Sequence, residues 1–447
     1  MGSTVLTGWG RIAPTRAELG APADAAAAAS ELRGPGMKIP RGLGRSYNNA
    51  AQCDGGLVLS TRRLNQIISL DPATGLVDCE AGVSLEELMV AGLPAGWFVP
   101  VSPGTRQVTV GGAIAADVHG KNHHVAGSFA RHVRSLDLLL PDGTSRSVSP
   151  ESDGRLFWAT AGGMGLTGLI VRATVQLKRV GTARVRVDTV RTPDIDETMA
   201  VLADHDHRFG YTVAWCDSLA SGRSLGRSVI TSGDFAEPGD LPEAARGDLF
   251  SFEPRARVGM PRGFPPGLMN KYSIALANQV QYRRAPKSRT GEIQTIGKFF
   301  HPLDGIRNWN RVYGPGGFRQ YQYVLPFGAE DSVRRSFEMV SAARAPSFVT
   351  VLKRFGEGDP GLLSFPMPGW TLALDFPART PGLDDLLNRL DTLVVAAGGR
   401  VYLAKDSRVP AEVLAEMYPR LEEFRKLRAE IDPRGTLASD LSRRLGL

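Results

Sequence analysis

Cysteine is scarce in this chain: three residues in 447 (Cys53, Cys79 and Cys216), none of them in a C-x-x-C pair. An odd and scattered set argues against a disulfide scaffold or a structural zinc site, and a reducing compartment fits best. Long apolar runs are missing as well. No stretch reaches the ~18 uninterrupted residues of a membrane-spanning helix, and the opening MGSTVLTGWGRIAPTR lacks the apolar core of a signal peptide. A soluble or peripheral protein is therefore expected, cytoplasmic by sequence. Internal repeats are absent, and so is any known nucleic-acid module. Acidic residues are in deficit, with 46 Asp+Glu against 53 Lys+Arg and a formal charge of +7. That balance favours anionic partners, and without a nucleic-acid module a phosphorylated substrate or an anionic membrane surface is preferred.

What is present is enough chain for two domains and a composition, 42% hydrophobic and 22% charged, that supports packed cores. The alanine run from Ala25 predicts a helix ending before Gly34-Pro35-Gly36, and Ser84 with Glu87 predicts a capped second helix. Ser135 to Leu140 entering Pro141-Asp142-Gly143 reads as a strand and turn, and the alternation Leu169, Val171, Ala173, Val175, Leu177 as a strand face. After Val180 the texture changes. We expect an α+β protein with residues 1–180 as the first domain, 181–400 as a second built on an antiparallel sheet, and 401–447 returning to the first. Residues 254–292, dense in Pro, Gly, Arg and Lys, read as mobile loops bordering the substrate entrance, with Arg283, Arg284, Lys287 and Arg289 suited to an anionic membrane surface. Leu383, Leu386, Leu387, Leu390 and Val394 mark an amphipathic helix stopped at Gly398-Gly399, and the tail from Ala411 is helical.

Three glycine-dense segments carry the chemistry. Pro40-Arg41-Gly42-Leu43-Gly44-Arg45-Ser46-Tyr47-Asn48-Asn49 can converge backbone N–H groups on an anion such as a dinucleotide pyrophosphate, although such a loop alone is often a plain turn. Ser102-Pro103-Gly104-Thr105 followed by Thr109-Val110-Gly111-Gly112-Ala113-Ile114-Ala115-Ala116-Asp117-Val118-His119-Gly120 lets backbone lie flat against a planar ligand. Ala161-Gly162-Gly163-Met164-Gly165-Leu166-Thr167-Gly168 opens directly into the strand holding Val171. The strand, Gly-x-Gly-x-x-Gly and helix order of a Rossmann fingerprint is not supplied. Gln320 and Gln322 share one face of a strand, either a polar outer face or a binding wall. His123 and His124, adjacent on a strand, would face opposite sides and lack a third ligand, so no metal site is expected.

In order and spacing, these segments resemble the FAD-binding domain of the vanillyl-alcohol oxidase and p-cresol methylhydroxylase superfamily. More narrowly, RGLGRSY, HGKNHHVAGSF, RSLDLLLPDG, ATAGGMGLTG, GFRQYQYVLPFG, VLKRFG, GWTLALDFP, VYLAKDSR and the tail to SDLSRRL resemble the decaprenylphosphoryl-β-D-ribose 2-oxidase family across nearly the whole chain.

The resemblance implies FAD held by residues 40–49, Gly104, Thr109, Val110, Gly111, Gly112, Ala116, Asp117, Val118, His119, Val171 and Tyr402. Superfamily members that tether flavin use a histidine in the first loop; Tyr47-Asn48-Asn49 stands there instead, which implies non-covalent FAD. The Gly-Asp usual after that tyrosine is replaced by Asn48-Asn49. Lys405 and His119 are implied as catalytic, and either could remove the hydroxyl proton. Tyr47, Gln320, Gln322, Lys353 and Ala373 are implied at the sugar, with Lys353 able to meet phosphate. The implied reaction is oxidation of the 2-hydroxyl of a polyprenyl-phosphate ribose, on the path to cell-wall arabinan in actinobacteria. A separate NAD(P)H-dependent keto-reductase would complete epimerisation, with the protein peripheral at the bacterial inner membrane and the periplasmic face left open. An aldonolactone or alditol oxidase and a non-catalytic flavin-binding scaffold are the rival readings. Ala373 stands where mycobacterial members carry a cysteine that traps nitroaromatic inhibitors.

Overall fold

The computed structural model describes residues 2–447 except Arg255, Arg257, Arg262, Phe264 and Pro266. The chain is α+β. Its first part holds a four-stranded sheet in the order Ser3–Leu6, Thr15–Gly20, Leu57–Ser60, Lys38–Arg41, and a five-stranded antiparallel sheet in the order Ile67–Leu70, Leu76–Glu80, Leu169–Gln176, Val133–Leu139, Ser145–Val148. The helices here start where side chains satisfy their free N–H groups. Asp24 accepts from Ala27 at the head of Ala25–Arg33, and Ser84 and Glu87 close a reciprocal capping box on Leu85–Gly92.

The second part is an eight-stranded sheet, ordered Ser288–Thr295, Arg184–Thr192, Ser228–Phe235, Tyr211–Cys216, Thr350–Phe355, Gly369–Pro377, Phe318–Pro326, Arg400–Val401. Helices Ile195–Asp206, Glu330–Ala342 and Leu383–Ala396 cover one of its faces. Alternation along Phe318–Pro326 shows the division. Tyr321 donates its hydroxyl to Asp391 and Tyr323 pairs with Ser336 on the helix side, so Gln320 and Gln322 point to the opposite face. That opposite face is the one the functional cavity uses.

The C-terminal segment crosses back to the first sheets. Leu437 bridges Lys38, and Asp440 accepts from the Thr15 hydroxyl and the Asp54 amide. One continuous hydrophobic core joins both parts of the chain.

The expectation of loops over 254–292 needs correction. Lys271–Arg284 is a helix capped by Asn270, and Ser288–Thr295 is the edge strand paired with Arg184–Thr192. The helical stretch contains neither Gly nor Pro, and its apolar residues fall on two faces, so no single stripe betrays it. Asn278 donates to Asp217 (2.8 Å) and the Tyr282 hydroxyl to the Thr192 carbonyl (3.2 Å), which fastens the helix to the sheet. The expected loop character at Arg255, Arg257, Arg262, Phe264 and Pro266 falls outside the described residues.

Candidate active site

A cavity of about 670 Å³ lies between the glycine loops and the open face of the large sheet. Its first end is lined by Gly42, Leu43, Gly44, Arg45 and Ser46, by Gly104 and Thr109, and by Gly111, Gly112, Ala115 and Ala116. The amides of Leu43, Gly44, Arg45 and Ser46 meet no protein acceptor among the described residues. Gly44 turns with φ +64, and a Cβ on Gly104 would touch nothing. This end therefore offers a cluster of free N–H donors beside a flat wall of small residues, and that donor set fits a dinucleotide with a pyrophosphate and a planar ring.

At the middle, the sheet places side chains by register. Gln322 lies opposite Ala373, Ala373 opposite Val351, Val351 opposite Trp215, and Trp215 opposite Val229, giving one row across five strands. The neighbouring rows set Gln320 beside Asp375 and Lys353 beside Thr371. Along these rows the amides, Asp375 and Lys353 give way to the apolar Val213, Trp215 and Val229, with Thr231, Gln281, Gln294 and Lys298 rimming the far end.

His119 stands at the junction of the two ends. Its Nε2 is 3.0 Å from Gln322 Nε2 and its Nδ1 3.2 Å from Lys353 Nζ, while Phe355, Phe365 and Tyr402 enclose the ring. Burial, with Lys353 adding to it, holds the imidazole well below its ordinary range, so the ring is neutral. Lys405 Nζ lies 3.6 Å from the centre of the Tyr47 ring. The first loop and the last segment are fixed to each other there: the Tyr47 amide donates to the Ala404 carbonyl (3.0 Å) and Asn48 Nδ2 to the Leu403 carbonyl (2.7 Å). Burial lowers the Lys405 ammonium, and the charge of Asp375 opposes that shift. Burial raises the Asp375 carboxyl in turn, against a hydrogen bond from Gln320. Tyr402 ties the two ends together, donating its hydroxyl to the Ala116 carbonyl (2.6 Å) and its amide to the Gln322 carbonyl (2.9 Å).

The cavity wall thus gathers Pro40, Gly42 to Tyr47, Gly104, Thr109, Gly111, Gly112, Ala116, Val118, His119, Gln320, Gln322, Lys353, Ala373, Tyr402 and Lys405 from distant parts of the sequence. Six other candidates stand behind it. Arg41 donates to the Thr7 (2.7 Å) and Ala51 (3.0 Å) carbonyls, Asn48 stitches the loop to residues 403 and 406, and Asn49 follows it away from the wall. Val110 and Val171 are core side chains, and Asp117 is buried on Ser364. Met164, Gly165 and Ile170 also line the first end, and Lys121, Trp215, Asp375 and His123's neighbour Phe355 complete the middle or its surroundings. A sequence signal existed for Asp375, a charge two residues from Ala373 on the same strand face. His123 and His124 begin a helical turn, His123–Ala126, rather than a strand, and His124 Nε2 pairs with the Phe209 carbonyl.

A family described as FAD binding domain matches residues 19–149, and one described as D-arabinono-1,4-lactone oxidase matches residues 376–445. A Mycolicibacterium smegmatis protein named decaprenylphosphoryl-beta-D-ribose oxidase is 45% identical over 450 residues, 99% of this chain and 97% of that protein. A Streptomyces coelicolor protein from the mprA 5' region is 43% identical over 82% of this chain and 100% of its own length. An Archaeoglobus fulgidus D-lactate dehydrogenase is 29% identical over 33% of the chain. The chain binds FAD and has the two-domain fold of the vanillyl-alcohol-oxidase type.

Proposed function

The chain belongs to the decaprenylphosphoryl-β-D-ribose oxidase family, and on that premise we propose that it oxidises the ribose 2-hydroxyl of a polyprenylphosphoryl-β-D-ribose to the 2-keto sugar. The observation that carries this reading is the zoned cavity, with free amides at one end, amide and amine side chains at the middle, and an apolar strand face beyond. These zones match a dinucleotide, a sugar and a prenyl chain.

FAD, held by residues 42–46, Gly104, Thr109, Gly111, Gly112, Ala116, Val118 and Tyr402, supplies the acceptor for the C2 hydride. The remaining work falls to side chains of this chain. Gln320 and Gln322 offer amides to the ribose hydroxyls, and Tyr47 closes the wall beside them. Neutral His119 stands between Gln322 and Lys353, where one ring nitrogen can turn to the 2-hydroxyl once substrate displaces a neighbour. The hydroxyl proton passes to Nζ of Lys405, whose basicity burial has lowered toward the working range. An amine that takes this proton becomes a cation, and Lys405 would then serve both as base and as electrostatic partner to a bound FAD. The electrons leave to a quinone, a dye or dioxygen. The 2-keto product then goes to a separate NAD(P)H-dependent keto-reductase, which completes epimerisation toward the arabinan donor.

The decisive experiment is turnover of farnesylphosphoryl-β-D-ribose by the purified protein with an artificial electron acceptor. The 2-keto sugar is expected. Faster oxidation of an aldonolactone or an alditol would select the rival enzyme, and no oxidation at all would select a flavin-binding scaffold. The flavin should be non-covalent, since Tyr47-Asn48-Asn49 replaces the tethering histidine, and acid precipitation should release all colour from the polypeptide.

We also propose that the protein works peripherally on the bacterial inner membrane. Tyr272, Leu276 and Val280 repeat at four-residue intervals on the exposed side of the Lys271–Arg284 helix, with Arg283, Arg284 and Lys287 at its end. Val229 and Gln281 line both the apolar end of the cavity and the groove under this helix. Such a surface suits an anionic bilayer that presents a prenyl chain. Stronger co-sedimentation with phosphatidylglycerol than with phosphatidylcholine vesicles, weakened in Leu276→Glu, is expected; equal pelleting with both removes the proposal.

A further inference from the structure

Lys405 and the lysines on the other side of His119 differ in their surroundings. Lys353 reaches the cavity from Thr350–Phe355 and Lys121 from the segment after His119, and both line the wall. No acidic group acts on either one. Burial pushes the Lys353 ammonium down to about 8, and burial together with Lys353 pushes Lys121 down to about 7. Lys121 donates to the Phe299 carbonyl and lies 4.1 Å from the centre of the Phe299 ring, contacts that aim the amine without neutralising it. Among the described residues, neither lysine forms an ion pair, whereas Lys298, which also lines the cavity, is held by Glu292 at 2.6 Å. Two such amines with no internal counter-charge cannot both hold their protons comfortably in an enclosed site, and an anion from outside lets them do so.

Resting on the oxidase reading above, we propose that Lys121 and Lys353 form the subsite for the substrate's phosphodiester. The geometry fits that linkage. In a 1-phosphorylated ribose the phosphate hangs from the carbon next to C2, and Lys353 is in contact with His119, the residue set to orient the 2-hydroxyl. Beyond Lys353 the same face of the sheet turns apolar through Val213 and Trp215, which is where the prenyl chain attached to that phosphate would run. Lys121 is then a specificity-determining residue. It discriminates a phosphorylated ribose from a plain sugar while the chemistry proceeds at Lys405 and His119.

Anion binding should also carry protons. Phosphate beside the lysines restores their ordinary basicity, so between about pH 7 and 10 binding takes up protons and weakens as pH rises.

The test uses flavin-loaded wild type, Lys121→Met and Lys121→Arg. Farnesyl phosphate, a probe without sugar, is titrated at pH 8 with the flavin spectrum and proton uptake as readouts. KM and kcat are then measured for farnesylphosphoryl-β-D-ribose and for a phosphate-free alkyl β-D-riboside. Loss of one charge-assisted contact should weaken farnesyl phosphate binding in Lys121→Met by roughly 10- to 100-fold. It should also raise KM for the phosphodiester with kcat little changed, leave the riboside untouched and reduce proton uptake; Lys121→Arg should recover most of the affinity. Equal effects on both substrates, or farnesyl phosphate binding that ignores Lys121, overturn the subsite. If wild type oxidises neither substrate yet binds farnesyl phosphate through Lys121, the oxidase reading fails and the anion subsite stands.

Discussion

Three buried lysines line one cavity, and they differ in company. Lys405 sits against the Tyr47 ring within the field of Asp375, whereas Lys121 and Lys353 have no acidic group acting on them. A buried amine with an internal carboxylate can change protonation without waiting for a ligand. A buried amine pair without one gives up its protons near neutrality and regains charge when an anion arrives. On the proposed reading the same residue type serves proton transfer beside Asp375 and anion recognition at Lys121 and Lys353, and the surrounding charges make the difference.

The largest effect should come from the partnered wall. Lys405→Ala removes the proposed proton acceptor and electrostatic partner of the cofactor, and turnover should fall by about 10²-fold or more. His119→Ala, which takes away the group bridging the walls, should approach the same loss. Flavin content is measured first, because Lys405→Ala can also weaken cofactor binding. A fully flavinated Lys405→Ala protein with ordinary turnover would erase the distinction between the walls.

A smaller change at the same wall tests what the carboxylate does. Asp375 raises the basicity of Lys405, so Asp375→Asn should move the acid limb of the kcat/KM profile to lower pH by about one unit, ~1.4 kcal/mol. The amide side chain keeps a hydrogen-bonding partner for Gln320, which limits the structural damage. A limb that stays in place, or moves to higher pH, means that a group other than Lys405 sets it.

Much of this cavity was legible in the sequence because its first end is backbone chemistry. Gly42, Gly44, Gly111 and Gly112 announce close approach and free amides wherever the rest of the chain lies. Gln320 and Gln322 could be put on one face by period alone, but the face was undecided until Tyr321 and Tyr323 were seen bonded to the helices behind the sheet. Arg41 and Asn48 show the opposite limit. Both sit inside the loop the sequence marks, yet their side chains serve carbonyls at residues 7, 51, 403 and 406, contacts between segments far apart in the chain. The Lys271–Arg284 helix escaped because Pro and Gly crowd the residues before it and its apolar residues divide between an anchoring side and an exposed one. Lys121 carries no such mark, since its burial among cavity residues is a property of the folded chain, whereas Asp375 shares the strand period of Ala373.

The smallest expected effect on catalysis lies between the walls. Ala373 occupies the row joining Gln322 to Val351, two residues from Asp375 on the same strand face, and its methyl borders the cavity. Ala373→Cys adds one sulfur atom toward open space, so turnover should stay within about threefold of wild type, well short of the penalty for overfilling a packed core. Its chemistry changes far more than its rate. The native cysteines Cys53, Cys79 and Cys216 are buried away from the cavity wall, and burial raises each thiol to about 11 or 12. Thiolate is scarce at all three, and none faces a bound ligand. A nitroaromatic inhibitor reduced in the site should therefore leave the native chain unmodified and form a semimercaptal adduct with Ala373→Cys. Intact-protein mass spectrometry, followed by peptide mapping, decides between the outcomes. A one-inhibitor increase mapped to residues 369–377 in the variant alone supports the row that joins the two walls. The same increase in the native protein, or none in a catalytically active variant, would move Ala373 out of the space where the inhibitor is reduced.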